Sequence, residues 1–183
     1  MILCGIDEAG RGPIAGDLVM AGCILTDAVD GLNDSKKLSE KKRETLYEEI
    51  IQKSKYHVVK FSAQVIDADG MSKSLASGLR EILEALDADE YLFDGNSTFG
   101  VDGLNTMVKA DGKVAEVSAA SIIAKVTHDR DILKLAKKYP QWEFESHKGY
   151  GTKKHVELIK KHGYSPIHRM SYKIKELREP SLF

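Results

Sequence analysis

The sequence predicts an α/β domain, a mixed sheet covered by helices, with no internal repeat and no low-complexity linker. Short apolar runs bounded by turn residues recur along the chain, and between them stand longer stretches with apolar residues at helical spacing. Met1 to Ile6 and Leu18 to Leu25 read as strands joined by a glycine-rich turn, which makes a hairpin the natural pairing. Ser39 reads as the N-cap of a helix whose Leu46, Tyr47, Ile50 and Ile51 share a face. Tyr56 to Phe61 is a third strand. A second helix follows, with Leu75, Leu79, Ile82, Leu83 and Leu86 as its buried stripe, and Glu90 to Phe93 is a short strand ending on Asp94-Gly95-Asn96. Thr106 to Lys109 reads as a fifth strand. Val117 to Lys138 is a long helix with small Ser and Ala residues near its start, and Thr152 to His162 is another, stopped by Gly163.

With 183 residues and 42% hydrophobic content the chain can bury one sizeable core and falls short of two typical domains, so a single domain over residues 1–183 is expected. The first apolar run has no basic residue ahead of it and meets an acid at Asp7, which excludes a secretory h-region. Nothing later approaches a membrane span, so a soluble cytoplasmic chain is expected. Cys4 and Cys23 are the only cysteines, each inside an apolar stretch and in no CxxC pairing, and they read as buried thiols rather than as a disulfide or zinc site. The net charge of -1 hides a split. Residues 1–108 carry 11 Lys and Arg against 19 Asp and Glu, whereas residues 109–183 carry 16 against 9. The second portion has the charge to bind phosphates, although from charge alone Lys137, Lys138, Lys153, Lys154, Lys160 and Lys161 read as solvated helix faces, and position relative to a catalytic site decides.

The stretch CGIDEAGRGPIAG, residues 4–16, sets two acids and four glycines directly after an apolar strand. The glycines miss the dinucleotide spacing GxGxxG by one residue, and no GxxxxGK[ST] is present, so they form neither a Rossmann nor a Walker loop. The acids need their own account. Asp7 and Glu8 end the first strand, Asp94 ends the fourth, and Asp111 follows the fifth. Each acid alone reads as an ordinary turn residue. Three strand ends each delivering a carboxylate, with neither His nor Cys among them, make a hard-oxygen site suited to Mg²⁺ or Mn²⁺. Because neighbouring strand residues point to opposite faces, Asp7 and Glu8 share such a site only if the strand ends or bends there, which Gly10 permits.

Beyond these acids, GIDEAGRGPIAG, LNDSKKLSEKKR, YLFDGN, VKADGKVAEVSAASIIAKVTHD and HKGYGT occur in the order found in bacterial ribonuclease HII, the type 2 ribonuclease H family, and the sequence resembles that family over residues 6–172. The resemblance implies a ribonuclease H-like fold, a mixed five-stranded sheet flanked by helices, with a catalytic core over about residues 1–138 and a smaller helical part over 139–183. It implies Asp7, Glu8, Asp94 and Asp111 as catalytic and metal-binding carboxylates for two divalent cations, Mg²⁺ or Mn²⁺. The implied reaction is cleavage of the RNA strand of RNA/DNA hybrids, and cleavage on the 5′ side of ribonucleotides embedded in duplex DNA. That cut leaves a 3′-hydroxyl and a 5′-phosphate, as ribonucleotide removal and primer processing require. A different class, a non-catalytic hybrid-binding module, fits poorly, because four anionic side chains beside phosphate cost affinity unless a metal neutralises them.

The same resemblance gives the turn a role. Gly10, Arg11 and Gly12 are implied to bring backbone groups against the ribose 2′-hydroxyl, an approach open to residues without a Cβ. Tyr150, in HKGYGT, is implied to lie against the sugar at the RNA-to-DNA junction. Ser35, Lys36 and Lys125 resemble phosphate-contacting positions. The terminal Glu179-Pro180-Ser181-Leu182-Phe183 is similar to the peptide by which bacterial proteins dock on the sliding clamp, with Leu182 and Phe183 as the pocket-filling pair, although Glu stands for the usual Gln and Pro180 for an apolar residue. His128 and His168 have no carboxylate at useful spacing and are expected to play ordinary polar surface roles. Nothing in the sequence points beyond a monomer.

Overall fold

The computed structural model of the chain describes residues 1–177. Five strands, β1 (Leu3–Ala9), β2 (Leu18–Leu25), β3 (Ser54–Phe61), β4 (Glu90–Asp94) and β5 (Asn105–Met107), form one sheet in the order β3-β2-β1-β4-β5. The first three run antiparallel as a meander, and β4 and β5 join parallel to β1. The helices are α1 (Glu40–Gln52), α2 (Ala63–Asp69), α3 (Met71–Ala85), α4 (Ala115–Lys138), α5 (Phe144–His147) and α6 (Lys153–His162). None of them is long and apolar enough to cross a membrane.

Alternation along β2 splits the core into two layers. Leu18 and Met20 face Leu75, Leu79 and Ile82 of α3, while Val19, Ala21 and Cys23 face Leu46 and Ile50 of α1 and Ala119, Ile122 and Ile123 of α4. Each of these fully buried Leu and Ile side chains contributes about 1.5–3 kcal/mol. The α4 backbone crosses β1 so closely that a Cβ on Gly5 would stand 2.2 Å from the Glu116 carbonyl carbon. A third cluster, with Ile14, Ala15, Ile132, Trp142, Phe144 and Ile159, packs the C-terminal helices against the turn after β1.

Several expectations are corrected. The first strand runs on to Ala9, because β2 keeps pairing as far as Ala9↔Val19, so Asp7 and Glu8 lie within it rather than past its end. The second helix is two helices divided at Gly70, with Ser62 capping the first. The fifth strand stops at Met107. Lys109 adopts a left-handed conformation, and Asp111 sits on a 3-10 turn, Ala110–Gly112, rather than directly at a strand end. Ser39 and Thr152 cap α1 and α6 as expected, and Gly163 follows α6. Cys4 and Cys23 are buried free thiols.

Candidate active site

Register brings the first two acids together. In the parallel pair β1–β4, Cys4, Gly5 and Ile6 stand opposite Tyr91, Leu92 and Phe93, so the next residues, Asp7 and Asp94, emerge level at the same end. Asp94 then fixes the third acid. Its Oδ1 accepts the Lys109 N–H at 3.0 Å and its Oδ2 the Asp111 N–H at 3.2 Å. The Ser118 hydroxyl of α4 donates to the Asp111 carbonyl and holds the 3-10 turn from behind. One carboxylate oxygen from each of Asp7, Asp94 and Asp111 lies within 4.8 Å of the other two. Among the described residues, no other group of His, Cys, Asp and Glu meets that spacing.

Three like charges this close, with Asp7 8% and Asp111 6% exposed, are poorly compatible with full ionisation. Burial raises the Asp7 carboxyl well above its ordinary range, and the Glu8 charge raises it further. Asp111 is raised to about 6 by burial and by its hydrogen bond with, and the charge of, Asp94, with Asp34 adding to the effect. Glu8 stands outside the close trio. Burial raises its carboxyl too, opposed by Arg11, whose guanidinium lies 3.3 Å from Oε1, while Oε2 is buried without a hydrogen-bond partner. An all-oxygen trio with an unsatisfied buried carboxylate oxygen nearby fits a hard divalent cation.

The acids open into a cleft of about 370 Å³. Gly10, Arg11 and Gly12 form one wall, Tyr150 another, and Ser35, Lys36 and Lys125 reach it from the α1 and α4 side. Every site residue expected within the described chain therefore meets in one place, and Ala9 and Ser121 join them. Leu182 and Phe183 lie outside the described residues. Lys125 also pairs with Asp129 at 3.0 Å, and Ser35 is buried, accepting from the Ser121 hydroxyl at 2.8 Å.

The turn after β1 is held by a residue that sequence reasoning did not single out. Arg169 is 1% exposed and has no carboxylate partner among the described residues. Its guanidinium instead donates to the carbonyls of Gly10 (2.6 Å), Arg11 (3.2 Å), Pro13 (2.8 Å) and Gly16 (3.0 Å), and Tyr172 adds a hydroxyl bond of 2.6 Å to Arg11. Gly10 has φ +92°, and a Cβ there would lie 2.5 Å from the Asp17 carbonyl oxygen, so no other residue fits. The Tyr150 segment is stitched to the same turn: Ile14 N–H donates to Gly149 O at 2.9 Å, and a Cβ on Gly12 would lie 3.5 Å from the Tyr150 ring. The sequence signal for Arg169 is slight, a basic residue beside His168 in the short stretch after Pro166.

The histidine expectation fails. His128 and His168 are each 2% exposed. His128 lies beneath Gly10 and pairs with its own sequence neighbour, Asp129, at 3.1 Å, while its Nε2 is buried without a partner. His168 belongs to a buried histidine cluster under the Tyr150 segment.

A five-stranded mixed sheet with helices on both faces, whose central strands deliver carboxylates to one edge, places this protein among the ribonuclease H-like α/β folds. A solved structure described as the PCNA:RNase HII complex of Archaeoglobus fulgidus matches it with a TM-score of 0.82 at 30% identity, covering 100% of this chain and 98% of that one. The chain belongs to the ribonuclease HII family, whose model matches residues 4–175. A ribonuclease HII of Sulfurovum sp. is 60% identical over 99% of this chain and 96% of its own, and one of Aliarcobacter butzleri is 55% identical over 97% and 93%. Membership makes the protein a type 2 ribonuclease H, a hydrolase.

Proposed function

We propose that this protein is an endoribonuclease that cuts the RNA strand of RNA/DNA hybrids and the 5′ side of ribonucleotides embedded in duplex DNA, leaving a 3′-hydroxyl and a 5′-phosphate. The observation that carries the reading is the meeting of the Asp7, Asp94 and Asp111 oxygens within 4.8 Å of one another, in the cleft walled by Gly10, Arg11 and Gly12. Asp7, Glu8, Asp94 and Asp111 would hold two divalent cations, Mg²⁺ or Mn²⁺, which when bound activate water and neutralise charge on the phosphate and the departing oxygen. The rest of the work falls to the chain. The Gly10–Gly12 backbone, framed by Arg169, presents polar groups to the ribose 2′-hydroxyl without side chains in the way. Tyr150, 42% exposed with its ring beside Gly12, packs against the sugar at the RNA-to-DNA junction. Lys36, Lys125 and the Ser35 segment steady the phosphates, and the lysines of α4 and α6 supply longer-range attraction to the duplex.

The test is incubation with duplex DNA carrying one embedded ribonucleotide, with and without Mg²⁺, beside Asp94→Asn. Cleavage is expected only from the unaltered protein with metal. A cut in the all-DNA control overturns the reading. A sliding clamp is the proposed partner of the terminal peptide. The Archaeoglobus fulgidus relative solved with PCNA supports it, and clamp affinity unchanged by deletion of the final five residues would remove it.

A further inference from the structure

Tyr150 is 42% exposed, and its segment is fixed by hydrogen bonds of its backbone. Its N–H donates to the His147 carbonyl at 3.0 Å, and its carbonyl accepts from Thr152 N–H and from His155 Nδ1, each at 2.8 Å. His155 is 0% exposed, and its ring stacks on that of His147 with centroids 3.8 Å apart.

The heavy-atom partners fix where every imidazole proton sits. Ser165 N–H donates to His168 Nδ1 at 2.8 Å, so the His168 proton is on Nε2. That nitrogen faces His155 Nε2 at 2.9 Å, which must therefore be the acceptor, and this leaves the His155 proton on Nδ1, aimed at the Tyr150 carbonyl. His147 completes the set. Its Nδ1 accepts Gly149 N–H at 3.1 Å, so its Nε2 donates to the Trp142 carbonyl at 2.8 Å. Each ring carries one proton, and a second on His155 would point at the Nε2–H of His168. Burial lowers His155 and His168 to about 4, in keeping with neutral rings.

We infer that His155, with its tautomer set by the Ser165–His168 hydrogen bonds, is a positioning residue for Tyr150, holding that tyrosine where it meets the sugar at the RNA-to-DNA junction. The inference rests on the role proposed above for Tyr150. It predicts an effect confined to substrates that have such a junction at the cut, because a cut deep inside a uniform RNA tract has ribose on both sides. The reaction itself is untouched: no proton of the cluster enters it, and the acids stand on other elements.

The experiment measures cleavage of a duplex with one embedded ribonucleotide and of a uniform RNA/DNA hybrid of the same length, and reads the ratio of the two rates. Tyr150→Ala is expected to lower that ratio by about tenfold, near the lower end of what a stacked aromatic ring contributes. His155→Gln, whose amide oxygen still serves His168 but whose donor to Tyr150 is lost, should lower it in the same direction. His155→Asn, whose amide nitrogen takes the place of Nδ1, should restore it. If both His155 variants slow the two substrates equally while Tyr150→Ala shifts the ratio, the inference is overturned and the reading of Tyr150 stands. If Tyr150→Ala itself leaves the ratio unchanged, that reading goes and the inference with it. Nitrogen-edited spectra of the unaltered protein decide the matter should the variants fail to fold: His155 as the Nδ1–H form, with His147 and His168 as Nε2–H forms, is expected, and any other assignment overturns the inference.

Discussion

Two buried clusters of ionisable side chains lie either side of the same turn, and they treat charge in opposite ways. In the acid cluster three carboxylates crowd within 4.8 Å with no cationic side chain among the described residues bonded to Asp7, Asp94 or Asp111, and burial drives the protonation of Asp7 and Asp111 upward. In the histidine cluster every ring nitrogen of His147, His155 and His168 has a partner, and burial drives the rings to stay neutral. A satisfied cluster orders the chain, whereas a frustrated one is poised for something from outside. Arg11 illustrates the boundary: it reaches Glu8, the acid outside the trio, and leaves the other three to one another.

The contrast breaks most sharply at Asp7→Asn. Hydrolysis of an embedded-ribonucleotide duplex should fall by at least about 10³-fold, the loss of several kcal/mol of metal-borne stabilisation. The metal-free variant should nevertheless melt no lower than the unaltered protein, and a lower melting temperature would show that the trio is held by something other than an external cation. Next in size is Arg169→Lys, which keeps a charge and loses the fork that spans four carbonyls. Its rate on the embedded ribonucleotide should drop about 100-fold, as expected for a misplaced contact of this kind, and single-turnover kinetics would detect it. His168→Ala strips the donor from His155 and should cost about 1–3 kcal/mol in urea unfolding. Activity on a uniform hybrid should stay within a few-fold of the unaltered enzyme.

The smallest effect is in pH. Asp111 titrates near 6 when folded, above its ordinary 3.8, so without metal its contribution to stability is present at low pH and lost as pH rises through about 6. His155 and His168 titrate near 4 when folded, below 6.5, so theirs is present above 6.5 and lost as pH falls toward 4. The slopes oppose each other between pH 4 and 6.5. Saturating Mg²⁺ should cancel the acid part, so that the melting temperature climbs more steeply with pH over that window than in EDTA. Equal slopes in the two conditions would mean that the ion does not bind at the acids.

Asp7 and Asp94 were legible because each follows a separate apolar run, and the parallel pairing of β1 with β4 brings them level. The β1–β2 hairpin, the α3 stripe and the α1 and α6 caps were equally open to view, since local patterns of period and capping produce them. What stayed hidden depends on distant partners. Asp111 is placed by bonds from Asp94 and Ser118 rather than by strand β5, which a three-residue pattern cannot convey. His168 and Arg169 look like surface residues in sequence and become buried only because carbonyls and imidazoles from residues 10–16 and 147–155 converge on them.

Synthesis runs from the amino end, so all four acids leave the ribosome long before Arg169 does. A nascent or prematurely stopped product ending after Lys138 would hold all four acids while its Gly10–Gly12 turn lacked the Arg169 clamp. On the reading proposed above, sugar selection is thus the last property this polypeptide would acquire, framed by one guanidinium made well after the acids.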